Sequence, residues 1–138
     1  MPGFVNFVST LPATASGRAA VQAASDCLDR FTACFNACDT SSMDGELHFP
    51  HLMLSGATRL EWLEAGQHPA DFFAQLKAAG WHHTRYESKE PLLASHDKVH
   101  FVVTYSRVGS AGNVLSTHTN LWILTRDAGK WGIGLRSY

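Results

Sequence analysis

Between Gly17 and Asp39, apolar residues recur at three- and four-residue spacing: Ala20, Ala24, Cys27, Leu28, Phe31, Cys34, Phe35 and Cys38. That period is the buried stripe of one long helix, with Asp26, Asp29, Arg30 and Asn36 mostly on its other face. The stretch from Asp39 to Gly45, dense in Asp, Ser and Thr, ends the helix and leaves room for a single extra turn. Two short apolar segments follow, His48 to Leu54 and Thr58 to Leu63, separated by Ser55-Gly56. They read as a hairpin in which Pro50 restricts the first strand to an edge or a bulge. Pro69, Asp71 and Gly80 punctuate a second helix, whose stripe is Phe72, Phe73 and Leu76.

After Trp81 the period changes to that of strands. Trp81 to Leu93 is extended, with Pro91 at its end or at a bulge, and Lys98 to Val108 is rich in β-branched and aromatic residues. Gly109 to Asn113 forms a hairpin loop into Val114 to Arg126, and Asp127-Ala128-Gly129 turns into a last strand, Lys130 to Ser137. No repeat or linker interrupts the chain. It therefore reads as one domain over residues 1–138, with residues 1–15 as an N-terminal arm. Helices first and a meander of long antiparallel strands afterwards give an α+β fold with the helices gathered on one sheet face. A strongly curved sheet of this kind can leave a cavity between its concave face and the helices.

Composition narrows the possible partners. The chain has 138 residues, 45% hydrophobic and 17% charged, and its 11 Lys and Arg against 12 Asp and Glu give a net charge of −1. That balance argues against nucleic acid and anionic membrane surfaces, which require a basic excess. No apolar run approaches a membrane span, and the first residues lack the basic cluster of a secretory signal. Cys27 and Cys34 lie two helical turns apart, a rise of about 10 Å, too far to be bridged. All three cysteines fall on the apolar stripe as small buried thiols, and the expected setting is reducing and cytoplasmic. Eight His and four Trp in so weakly charged a chain point to a part-polar pocket more than to a charged face.

The order of elements, together with two local motifs, carries a family resemblance. His48-Phe49-Pro50-His51 in the first strand and Lys130-Trp131-Gly132-Ile133-Gly134-Leu135-Arg136-Ser137 in the last resemble a bacterial branch of the nuclear-transport-factor-2-like superfamily. That superfamily includes ketosteroid isomerase, scytalone dehydratase and polyketide-cyclase-type (SnoaL-like) proteins, and the resemblance covers nearly the whole chain. It implies a cone-shaped fold of cystatin-like architecture, with a curved sheet wrapped around N-terminal helices. It also implies a hydrophobic pocket inside the cone and frequent dimerisation through the sheet. No single activity follows, because function lives in sites grafted on the fold.

Strand alternation selects the residues that should face the pocket. Val99, Phe101, Val103 and Tyr105 form the more apolar face of one long strand, and His118, Asn120 and Trp122 share a face of the next. The threonines Thr117, Thr119 and Thr125 belong to the opposite side. Trp131, Ile133 and Leu135 would line the same cavity, with Trp62 contributed from the hairpin. Arg136 has the opposite parity and should face outward unless a bulge re-aims it. The candidate chemistry is acid–base: His118 as base, Tyr105 as phenolic donor, Asn120 as an amide for a developing oxyanion, and His51 or His48 across the cavity. It loosely resembles scytalone dehydratase. The two central strands carry no carboxylate between Val99 and Thr125, which disfavours a carboxylate-driven isomerase or cyclase.

No metal and no cofactor are expected. His48 and His51 lie three apart, which on a strand sends them to opposite faces, and His82 and His83 should diverge as neighbours. The sequence thus supports a small-molecule-binding pocket domain, with a His/Tyr isomerase, dehydratase or hydrolase acting on a small apolar organic substrate as the alternative. Val102, Leu121 and Ile123 share the threonine-bearing face, which is too apolar to be left in water, so a homodimer through the sheet is expected.

Overall fold

The computed structural model describes residues 15–138. The expected N-terminal arm, residues 1–15, lies outside them except for Ala15, where the first helix begins. Helix α1 spans Ala15–Asn36 and α2 is a single turn, Thr40–Asp44. Between them the chain reverses in a Schellman cap, in which the Asp39 amide donates to the Cys34 carbonyl at 3.0 Å and Cys38 takes a left-handed φ of 55°. Cys38 is therefore not on the helical stripe, as its spacing had implied. Cys27 is fully buried there, and Cys34 is partly so. Burial pushes the Cys27 thiol up to about 12, with help from its hydrogen bond to Glu46, so it is inert packing.

Strand β1 (Leu47–Ser55) and β2 (Thr58–Trp62) form the expected antiparallel hairpin, with Ser55 opposite Thr58. Helix α3 (Phe72–Ala78) begins three residues later than Pro69 suggested, with Asp71 at its N-cap. Gly80, at φ +96°, turns the chain into β3 (Trp81–Ala94), a conformation that side-chain-bearing residues rarely adopt. Strands β4 (Lys98–Gly109), β5 (Val114–Asp127) and β6 (Lys130–Ser137) complete the fold. The sheet is open and runs β2-β1-β6-β5-β4-β3, with every neighbouring pair antiparallel except β1 and β6.

Alternate residues of β4 are buried as expected: Val99, Phe101, Val103 and Tyr105 turn toward α1. They meet Ala20, Ala24, Cys27, Leu28 and Phe31 in one core, where each large apolar side chain contributes about 1.5–3 kcal/mol by leaving water. The far end of α1 is tied to β3 by Asn36, whose side-chain amide mimics a strand. Its Nδ2 donates to the Thr84 carbonyl and its Oδ1 accepts from the Thr84 amide, both at 2.8 Å. Opposite the core, Thr104 meets Thr119 and Ser106 meets Thr117 through their hydroxyls at 3.1 and 3.0 Å.

Two irregularities re-aim side chains. In β6, Leu135 lies opposite Ile123 but Ile133 lies opposite Leu124, so Gly134 is an extra residue in the ladder. The bulge inverts the parity of everything after it. Leu135 moves to the outer side and Arg136 turns inward, which corrects both sequence assignments. In β3 the register slips between Trp81 and His83, and the adjacent rings of His82 and His83 meet with their Nδ1 atoms 3.0 Å apart instead of diverging.

Candidate functional site

The inward turn of Arg136 builds the centre of the site. Arg136 is buried, at 6% exposure, and its guanidinium sits among the faces of Phe31, Trp62 and Trp122 at 5.4, 5.8 and 5.9 Å. Nε donates to His51 Nε2 at 2.9 Å, and Nη2 approaches Met53 Sδ at 3.4 Å. His51 in turn places Nδ1 2.9 Å from the Ile133 carbonyl. A carbonyl accepts only, so Nδ1 carries the proton and Nε2 offers its lone pair to Arg136. Burial, reinforced by the charge of Arg136, pushes the His51 imidazole down to about 3. His51 is thus a neutral residue with both nitrogens occupied, positioning Arg136.

Two adjoining cavities open beside the guanidinium. One, of about 230 Å³, lies between Phe31, Thr32, Tyr86, Tyr105, Arg107 and Trp122; the other, of about 200 Å³, lies between Met43, Met53, Trp62, His68 and Pro69. Phe35, Phe72, Arg136 and Tyr138 line both. In the first, Tyr105 accepts a 3.0 Å hydrogen bond from Asn120 Nδ2, which leaves its own proton free to donate, and burial raises its phenol above the usual range. The Trp122 indole N–H has no acceptor among the described residues.

His68, on the wall of the second cavity, belongs to a pair that strand periodicity gave no means of finding. His68 Nε2 lies 2.9 Å from Asp44 Oδ1, both side chains being under a tenth exposed, and the His68 ring packs edge-on to Trp62. Asp44 Oδ2 accepts from the Gly66 amide at 2.9 Å, which holds the carboxylate in place. Burial lowers the His68 pKa while Asp44 opposes that shift and Arg136 adds to it. A neutral imidazole held by a carboxylate through one nitrogen can take a proton on the other.

The remaining sequence candidates divide. Trp62, Trp122 and Tyr105 line the cavities, whereas Phe101 and Ile133 are packed solidly in the core. His118 stacks on Tyr105 with ring centres 5.1 Å apart, but it bonds Ser116 Oγ at 2.8 Å and borders neither cavity. Its pKa is lowered by burial and then by Arg107. Trp131 borders a separate recess with Ala20 and His96. His48 bonds Thr125 Oγ1 at 2.8 Å on the outer side, away from His51. Among the described residues, no three His, Cys, Asp or Glu side chains converge on a common point.

Comparison with known proteins gives the architecture a counterpart among solved structures. No family model and no curated protein matches the chain. Solved structures do. A cystatin-like protein of unknown function from Nostoc punctiforme is 15% identical, with a TM-score of 0.62 and 92% of each chain covered. A ketosteroid isomerase-like protein from Erwinia carotovora atroseptica is 16% identical, with a TM-score of 0.61 over 84% of this chain and 92% of that one. A hexachlorocyclohexane dehydrochlorinase from Novosphingobium barchaimii is 14% identical, with a TM-score of 0.59 over 87% and 83%. The chain has the nuclear-transport-factor-2-like, cystatin-like fold. At these identities the likeness extends to the fold and no further.

Proposed function

We propose that the protein binds a small, largely apolar organic molecule in the paired cavities around Arg136. The observation that carries this reading is the space itself: cavities of about 230 and 200 Å³, walled mostly by aromatic rings, that no side chain fills. Each is smaller than the roughly 300–1,000 Å³ taken by drug-sized ligands, so one or two fused rings suit them. Interiors are otherwise packed to crystal density, and unfilled volume of this size is kept at a cost in stability.

An enzymatic reading is favoured by one further arrangement, His68 at the wall of the second cavity with Asp44 bonded to its ring. It supplies a general base oriented by a carboxylate, and Tyr105 supplies a phenolic donor in the adjoining space. This keeps the isomerase, dehydratase or hydrolase class while moving the base from His118 to His68. We also read the chain as a cytoplasmic bacterial protein that pairs with a second copy through the outer sheet face. Free Cys27, Cys34 and Cys38 and the bacterial sources of the fold neighbours support that setting.

A thermal-shift screen of the full chain against aromatic, terpenoid and polyketide-like compounds tests the pocket. A saturable shift is expected, and it should vanish in Thr32→Phe, which places a ring in the first cavity, while circular dichroism shows the fold retained. A shift unchanged in that variant would place the ligand elsewhere and sink the assignment.

A further inference from the structure

The cavity is electrostatically one-sided. Arg136 and the half-buried Arg107 both line the first cavity, and no Asp or Glu does. Among the described residues neither arginine has a carboxylate within 4.0 Å, and no Asp or Glu lines the second cavity either; Asp44, the partner of His68 there, is committed to that ring and to the Gly66 amide. A guanidinium stays protonated at every accessible pH, so Arg136 carries its charge into a site that withdraws it from water. Its contacts there are a neutral imidazole, a thioether and three aromatic faces. These orient the group without neutralising it, and a buried charge without a counter-ion is the costly case.

The hydrogen-bond geometry points the same way. Nε and Nη2 are engaged by His51 and Met53, whereas Nη1 has no partner among the described residues. Among the described residues only His100 Nε2 and Trp122 Nε1 are sealed from solvent without a partner, so Nη1 keeps some accessible surface on a residue that lines both cavities. The His51 bond to the Ile133 carbonyl fixes the ring that fixes the guanidinium, so the unpaired nitrogen is held in place on a residue that lines both cavities.

We propose that the ligand is an organic acid whose carboxylate pairs with Arg136 while its apolar body lies against the aromatic walls. This rests on the reading of the cavities as a small-molecule site and names the ligand's chemical class. A planar carboxylate matches a guanidinium edge through parallel N–H donors.

Isothermal titration of the full chain at neutral pH with matched pairs reads the proposal: benzoate against benzamide, and 2-naphthoate against 2-naphthamide. At least one acid should bind tenfold or more tightly than its amide. Arg136→Met should bring that pair within about twofold, and Arg136→Lys, with the charge but not the planar fork, should retain a reduced preference. Should Arg136→Met fail to fold, the arginine side-chain 15N spectrum of the unaltered protein replaces it. There the acid should shift the Arg136 Nη resonances and the amide should not; resonances unmoved by a bound acid overturn the proposal. An amide that binds as tightly as its acid also overturns it and leaves the small-molecule reading standing. Binding by none of the four overturns both. Phenyl phosphate binding more tightly than benzoate overturns the carboxylate assignment.

Discussion

Arg136 donates through Nε to Nε2 of His51 at 2.9 Å, and the imidazole answers by giving its Nδ1 proton to the Ile133 carbonyl. The relay joins β1 to β6 across their parallel pairing and terminates at a buried cation that, among the described residues, has no carboxylate within 4.0 Å. The histidine's role follows from its tautomer. A group that accepts from arginine and donates to a backbone carbonyl has no lone pair left for a substrate. It acts instead by holding the guanidinium in one orientation.

That relay makes stability depend on pH with a definite sign. In the unfolded chain His51 titrates near 6.5, whereas in the folded protein it is pushed down to about 3. Between those values the unfolded state binds a proton that the folded state refuses, so stability falls as pH falls, by up to about 1.4 kcal/mol per pH unit. The contribution is present in full above the unfolded value. His48, His68, His100 and His118 shift in the same direction and steepen the slope. His51→Gln keeps an acceptor for Arg136 and removes one titrating group. Urea unfolding between about pH 7 and pH 5 should show a shallower loss in the variant; identical slopes would mean that His51 is not a source of the dependence.

Most of the fold was legible in the sequence because strands declare themselves by alternation. The limits of β4, β5 and β6, the inward set Phe101, Tyr105 and Trp122, and the outward threonines all follow from a period of two. Legibility ends where the period breaks. Gly134 adds one residue to β6 and inverts Leu135 and Arg136, and the Gly-x-Gly spacing of Gly132 and Gly134 was the available signal for a bulge. Asp44 and His68 were invisible for another reason. One closes a single-turn helix, the other sits in a loop, and only tertiary folding brings them together across 24 positions of sequence.

Gly132 is constrained by a neighbour. A Cβ there would lie 2.6 Å from Cδ2 of the His48 ring, whose Nδ1 is held by Thr125 Oγ1 at 2.8 Å. Gly132→Ala should therefore expel the ring and cost about 1–3 kcal/mol, the usual range for overpacking. In a His48→Ala background the same substitution should cost much less, since the obstructing ring is gone. Additive costs in chemical denaturation would show that backbone conformation, not the ring, dictates glycine.

The outer sheet face yields a prediction about assembly. Val102, Leu121 and Ile123 remain only half-buried beside the paired threonines, an apolar strip across adjoining strands β4 and β5. Two copies packing this face together would form a symmetric pair. Light scattering after size exclusion at micromolar concentration should return twice the 15.1 kDa chain mass, and Ile123→Glu should return the monomer. A monomeric unaltered protein contradicts the pairing.

The His68–Asp44 pair can be tested without knowing any substrate, because its two charged neighbours act in opposite directions. Asp44 raises the His68 pKa by charge and by its hydrogen bond, while Arg136 lowers it and burial lowers it most. Removing the carboxylate in Asp44→Asn should move the imidazole titration, followed by proton resonance of its ring, to lower pH. Removing the cation in Arg136→Met should move it to higher pH. The second shift matters more for function. It requires that Arg136 and His68 feel each other across the shared wall of the two cavities, as they must if a bound anion at one is to alter proton transfer at the other. An organic acid seated on Arg136 would screen that cation and raise the affinity of His68 for a proton, making it a stronger base once the site is filled. Addition of 2-naphthoate should thus shift the His68 titration upward in the unaltered protein and leave it unmoved in Arg136→Met. A His68 resonance indifferent to the bound acid would uncouple the two groups and confine any proton transfer to the second cavity alone.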